Sequence, residues 1–293
     1  LGVGGGERLL QHVHARRARP HDGDIGDVAA AHVAAVIGVH PEAVAGTQEP
    51  AAHPVTAAQV RSELDLAELI HAGLPTRAVD VVRSHRAAIE AAREAGVRHV
   101  AYTSYLNPVE ENPAAITPSH RDTEWALRES GLAWSALRHA FYAEYQVPAG
   151  AQAIATGQLI HNNGYGKTAY VSREDCAAAA AAVLTTEGHE DKAYDITGPQ
   201  ALSQDDVAAL LSEVSGRPVE AVAVDDEAFI EGLSAAGVPE PAAREIASYG
   251  RAIREGHIDQ ISGAVENLTG RAPRSLREVF EAYRHELLQG VSA

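Results

Sequence analysis

The sequence predicts an α/β fold, a parallel sheet flanked by helices with a small, mostly helical carboxy-terminal lobe, and three stretches between Gly96 and Glu144 carry that prediction. Val97 to Ser104 is rich in β-branched and aromatic residues and follows a helix-ending glycine, so it reads as a buried strand. A helix with marked ends comes next: Thr117 as N-cap, Pro118 at the first helical position, and Gly131 as a left-handed C-cap. Leu132 to Leu137 reads as a second strand, running into Arg138-His139-Ala140-Phe141-Tyr142. A strand, a helix and a second strand in that order form a crossover, and crossovers join parallel strands.

Composition bounds the rest. With 293 residues, 45% of them hydrophobic, the chain can bury a full core. The expected organisation is one unit over residues 1–293, with 1–78 atypical and about 200–293 contributing a small lobe on the substrate side. No apolar run approaches the roughly 20 residues of a membrane span, so no membrane partner is expected. The opening Leu1-Gly-Val-Gly-Gly-Gly-Glu lacks the basic and then apolar order of a signal peptide, and a cytoplasmic location is the expectation. A net charge of -16 repels phosphate backbones, which argues against nucleic-acid binding. Cys176, the single cysteine, rules out an internal disulfide and reads as packing in an alanine-rich helix.

The amino-terminal third is the hardest to read. Glycines stand at 2, 4, 5 and 6, but no strand precedes them and Glu7-Arg8 breaks every dinucleotide fingerprint, so the run reads as a frayed terminus. His12, His14, His21, Asp22 and Asp24 invite a metal site, yet their spacing matches no ligand pattern and no metal is expected. Ala29 to Val39 reads as helix or strand, and Ala51 to Leu69 as loop and helix. The Ala, Arg, Gly, His and Pro content is what a degenerate, rearranged or out-of-frame first strand–helix–strand unit would carry.

From Val79 the pattern is regular. Val79 to Ala95 has helical spacing and stops at Gly96. After Tyr145 the chain is expected to break at Pro148-Ala-Gly150, followed by short strands at Gln158 to His161 and Lys192 to Thr197 and a half-exposed one at Pro218 to Val224. Ser172-Arg-Glu-Asp175 and Ser203-Gln-Asp-Asp206 are capping-box-like helix starts. Asp225 to Gly237, Pro241 to Glu255 and Ser275 to Gln289 read as the helices of the lobe.

The two strand ends concentrate the candidate chemistry, because open α/β sheets bind ligands beyond the carboxyl ends of their strands. Thr103, Ser104 and Tyr105 can bond a ribose, an amide or a substrate oxygen, or form an ordinary polar exit. Arg138 meets an anionic group, or pairs with one of the forty acids; His139 can donate a hydrogen bond. Phe141 and Tyr142 stack on a flat ring, or join the core. His120 and Glu124, four apart, suit a proton relay, but a solvated face with a modest helix pair is the expectation. Absences narrow the reaction. No tyrosine is followed four residues later by lysine, and G-x-S-x-G does not occur. Without the tyrosine acid, alcohol–ketone chemistry is disfavoured, while hydride delivery to an electron-poor acceptor such as a quinone is less demanding.

Several motifs then converge: Gly96-Val-x-His-x-x-Tyr-Thr-Ser104; His120-x-x-Thr123-Glu124-x-x-Leu127 with Ser130-Gly131; Leu137-Arg138 with Tyr142-x-Glu144; Ser172-Arg173-x-Asp175; and Tyr194-x-x-Thr197-Gly198-Pro199. From about residue 79 to 283 the chain resembles the NmrA-like, atypical short-chain dehydrogenase/reductases, in their NAD(P)H:quinone oxidoreductase branch. The resemblance implies a Rossmann-like sheet, NADPH or NADH as cofactor without flavin or metal, and a small quinone-like acceptor in a crevice between sheet and lobe. It implies that Thr103, Ser104, Arg138, His139, Ala140 and Tyr142 attend the cofactor and that Tyr105 and Phe141 attend the acceptor. His139-Ala140 replaces the Asn-Gly or His-Gly of other members. A homodimer is left open, as are two rival roles: a non-catalytic dinucleotide sensor, and a remnant without cofactor binding.

Overall fold

The computed structural model describes the backbone of residues 34–38 and residues 78–289, all within the unit His32–Ala293. The expectations placed on the glycine run, on His12, His14, His21, Asp22 and Asp24, and on residues 51–69 lie outside the described residues. For Ala29 to Val39 the choice resolves over Ala34–Gly38, which is strand β1.

Among the described residues, four parallel strands form the main sheet in the order β1-β2-β3-β5: β1, β2 (His99–Tyr105), β3 (Ala133–His139) and β5 (Lys192–Ile196). The register sets their carboxyl ends level, with Gly38 beside Thr103, Tyr105 beside His139 and His139 beside Ile196. β4 (Gln158–His161) and β6 (Glu220–Ala223) make a separate parallel pair. Among the described residues the α-helices are α1 (Ala78–Glu94), α2 (Thr117–Glu129), α3 (Gln146–Thr156), α4 (Arg173–Thr185), α5 (Gln204–Ser215), α6 (Asp226–Ala235), α7 (Glu240–Arg254), α8 (Ala264–Thr269), α9 (Leu276–Ala282) and α10 (Arg284–Leu287).

Alternation along the strands divides the core between the two faces of the sheet. Val100, Tyr102, Trp134 and Ala136 pack against Ala88, Ile89 and Ala92 of α1 and Ala126 and Leu127 of α2. Ala101, Tyr105 and Leu137 pack against Cys176, Ala179 and Val183 of α4. Ala179 is fully buried, so the alanine run brings α4 close to the sheet, and burial among these residues pushes the Cys176 thiol up. A third cluster joins α3, α5 and α9 through Ile154, Leu211 and Phe280.

Local signals held where they are strongest. Ser172 caps α4 by accepting from the Asp175 N–H, and Ser203 forms a reciprocal capping box with Asp206. Such caps contribute about 1 kcal/mol each. Two expectations fail. Thr117 is not the N-cap; it is the first residue of α2, after Ile116, which offers no side-chain cap. The break at Pro148-Ala-Gly150 is a helix instead, α3. Pro148 sits in the first turn, where its missing N–H has no intrahelical partner anyway. Gly150 is there because a Cβ would stand 2.7 Å from Leu211 Cδ2 and 2.9 Å from Leu287 Cδ2.

Candidate active site

Beyond the ends of β2 and β3 lies a crevice lined by Thr103, Ser104, Tyr105, Ile116, His120, His139, Ala140, Phe141, Tyr142 and Tyr249. Seven of the eight residues expected to attend cofactor or acceptor therefore stand around one opening. Its segments are fixed by backbone bonds: Leu106 N–H to His139 O, Ala140 N–H to Ile196 O, and Val171 N–H to Phe141 O, each 2.9 Å.

Arg138 is the exception and does not line the crevice. By alternation it points with Tyr102 and Ser104 toward α2, where Glu124 waits. Its Nε donates to Glu124 Oε1 at 2.9 Å and its Nη2 to Oε2 at 2.8 Å, while Asp195 stands 3.9 Å from Nη1. Ser104 Oγ donates to the same Oε1 at 2.8 Å and Arg128 Nη2 to Oε2 at 3.1 Å. Four donors on two oxygens satisfy a buried carboxylate. The ion pair with one of the forty acids is the alternative that the structure shows for Arg138.

His120 and Glu124 do not form a solvated face. Both are buried and they do not pair: Glu124 serves Arg138, and His120 Nδ1 shares a hydrogen bond with the Tyr102 hydroxyl at 2.7 Å. The inner face of α2 is polar, with Ser119, His120, Thr123 and Glu124 all buried at helical spacing. Farther in, Thr123 Oγ1 donates to Ser119 O at 2.7 Å, so at 2.8 Å His85 Nδ1 must be donating to Thr123. Burial holds both imidazoles neutral, lowering His85 to about 4 and, with help from the neighbouring His85 and His139, lowering His120 to about 3.

Rings wall the rest. Tyr249, from α7, meets Phe141 edge to face with centroids 5.4 Å apart, and stands 6.2 Å from Tyr105. The Tyr142 hydroxyl lies 2.9 Å from His139 Nδ1, and burial raises the pKa of this phenol. Behind it the Arg173 guanidinium sits 5.5 Å above the Tyr142 ring and 4.9 Å above Tyr145. Sequence reasoning missed Tyr249 and Ile116 as lining residues. Next to Tyr249, Gly250 interrupts a helical run, and a glycine there marks a close approach, in this case to Asn162 rather than to the crevice. A Cβ at 250 would fall 1.8 Å from Asn162 Oδ1, and Asn162 donates to Ala247 O and Asp226 Oδ1 at 2.8 Å each, tying α7 and α6 to the end of β4.

A parallel sheet with an open crevice past its strand ends is how dinucleotides are held. The model of the NAD(P)H-binding family matches residues 13–187. The chain belongs to this family. The match begins well before residue 79, where the motif resemblance starts, and so takes in much of the amino-terminal third. The NAD(P)H-binding chain is 33% identical over 205 residues to the NAD(P)H azoreductase of Xenophilus azovorans, covering 70% of this chain and 71% of that one. It is also 33% identical to quinone oxidoreductase 2 of Escherichia coli over 194 residues, 66% of this chain and 68% of that one. Among solved structures, the Citrobacter sp. triphenylmethane reductase complexed with NADP(H) superposes with a TM-score of 0.66 at 34% identity, over 72% of this chain and 73% of that one.

NAD(P)H is thus the cofactor of this oxidoreductase family, and the described residues fit one end of it. The flat, aromatic crevice suits a nicotinamide ring, and no lysine or arginine is among its described lining residues to meet phosphate. Among the described residues there is no group of three or more His, Cys, Asp or Glu that could hold a metal ion, and no helix is long and apolar enough to cross a membrane.

Proposed function

We propose that the protein is an NAD(P)H-dependent reductase of a small quinone-like acceptor. The observation that carries this reading is the crevice at the carboxyl ends of β2 and β3, walled by aromatic rings and closed on one side by Tyr249. When bound, the dihydronicotinamide supplies a hydride. This chain's residues hold the two flat rings and keep water from them. Thr103, Ser104, His139, Ala140 and Tyr142 attend the cofactor ring, and Tyr105 and Phe141 attend the acceptor. Arg138 is a positioning residue, acting through Glu124 to set Ser104 and the end of β3. α6 and α7, within the stretch from about residue 200, form the acceptor-side lobe. His120, neutral at physiological pH, presents an uncharged edge, which suits an uncharged acceptor.

The relatives named as quinone and azo reductases support an electron-poor conjugated acceptor, and the missing Tyr-x-x-x-Lys pair supports one whose reduced form takes its proton readily from water. The test is a fluorescence titration with NADPH and with NADH, followed by addition of a benzoquinone and measurement of cofactor absorbance. Binding followed by oxidation of the cofactor is the expected result. Binding without turnover would make the protein a dinucleotide sensor, and no binding a remnant.

A further inference from the structure

Tyr105 ends β2, beside His139 in the register, and its ring stacks on His120 with centroids 6.1 Å apart and planes 28° from parallel. Its hydroxyl is buried and has no hydrogen-bond partner among the described residues. Its ring neighbours have other partners, His120 in Tyr102 and Tyr249 in Glu245, and the adjacent Ser104 bonds Glu124. Buried polar groups are nearly always paired, so an unpaired phenol at the edge of a crevice asks for a reason. Burial also raises the pKa of this phenol, so it remains a donor at every physiological pH.

Building on the reductase reading, we propose that Tyr105 Oη is the hydrogen-bond donor that recognises the acceptor, and that the acceptor is a flat, uncharged ring bearing a conjugated carbonyl oxygen. The ring lies against Phe141 and Tyr249, and the carbonyl accepts the hydrogen bond that the Tyr105 hydroxyl makes to none of the described residues. An anionic ring finds no lysine or arginine among the described lining residues and would lose its hydration without a counter-charge.

Menadione and 2-methylnaphthalene share a ring skeleton and differ in the carbonyl oxygens, so they separate this hydrogen bond from ring packing. Their binding to the full chain, saturated with oxidised NADP+ so that nothing turns over, is measured by equilibrium dialysis. The unaltered protein is expected to bind menadione at least tenfold more tightly than 2-methylnaphthalene. Tyr105→Phe, which keeps the ring, is expected to weaken menadione about tenfold, to leave 2-methylnaphthalene and NADP+ unchanged, and to melt no lower than the parent, since it removes an unpaired group. Equal affinity of the unaltered protein for both compounds overturns the proposal even without the variant. Equal menadione affinity in parent and variant, or equal weakening of both compounds, also overturns it while leaving the reductase reading intact. If NADP+ binds both proteins and menadione binds neither, the acceptor reading of the crevice falls with it.

Discussion

Arg138 lays Nε and Nη2 on the two oxygens of Glu124 and so fastens the carboxyl end of β3 to α2. Because Ser104 donates to the same carboxylate, one acid levels the ends of both central strands. Arg138→Ala would leave a buried carboxylate short of two donors, and a loss of about 3 kcal/mol in urea unfolding is expected. Any weakening of NADPH binding, several-fold at most, is secondary to that loss. A variant as stable as the parent but unable to bind NADPH would instead place Arg138 on the cofactor.

Two buried histidines make the fold sensitive to acid. Folded, His85 titrates at about 4 and His120 at about 3, against about 6.5 in an unfolded chain. The unfolded state therefore binds more protons across that window. This stability is complete above about pH 6.5 and is lost as pH falls, by roughly 1.4 kcal/mol per pH unit for each histidine, until each folded value is passed. Urea unfolding at pH 7, 6 and 5 measures the slope, and His120→Asn should make it shallower. An unchanged slope in that variant would contradict the assignment.

Gly250 and Asn162 are matched by shape. Gly250→Ala places a methyl where Asn162 Oδ1 stands 1.8 Å away, and a cost of about 1–3 kcal/mol follows from overpacking. On an Asn162→Ala background the same change should cost less. A double-mutant cycle in thermal unfolding reads the coupling, and strict additivity would refute it.

Tyr249→Ala removes the ring that meets Phe141 edge to face and opens one wall of the crevice. The expected result is a rise of about tenfold in the acceptor KM, with NADPH affinity unchanged, measured by steady-state kinetics with a benzoquinone. A fall in NADPH affinity of the same size would move Tyr249 to the cofactor side.

What the sequence disclosed, and what it hid, follows the range of the interactions. Gly96, Ser172 and Ser203 act on residues within a few positions, so the helix boundaries they set could be read directly. The convergence of Thr103 to Tyr105 with His139 to Tyr142 was legible because parallel strands must end on the same side of a sheet. Helix α3 was not, since Gly150 answers to Leu211 and Leu287, far along the chain. The polar inner face of α2 was misjudged for a related reason: His120 and Glu124 look solvated until Tyr102, Ser104 and Arg138 are placed opposite them. Tyr249 reaches the crevice from a helix more than a hundred residues downstream of β3, and nothing local in the sequence marks it.

The pleat of β2 and β3 assigns different tasks to alternate residues. Ser104 and Arg138 bind Glu124 and hold the scaffold, Ser104 also edging the crevice, while Tyr105 and His139 lie among its rings. Selection can therefore exchange the aromatic side chains, and with them the range of compounds accepted, without loosening the joint that keeps the sheet in order. Tolerance in a chain of this kind is expected to follow parity along a strand rather than distance from the chemistry.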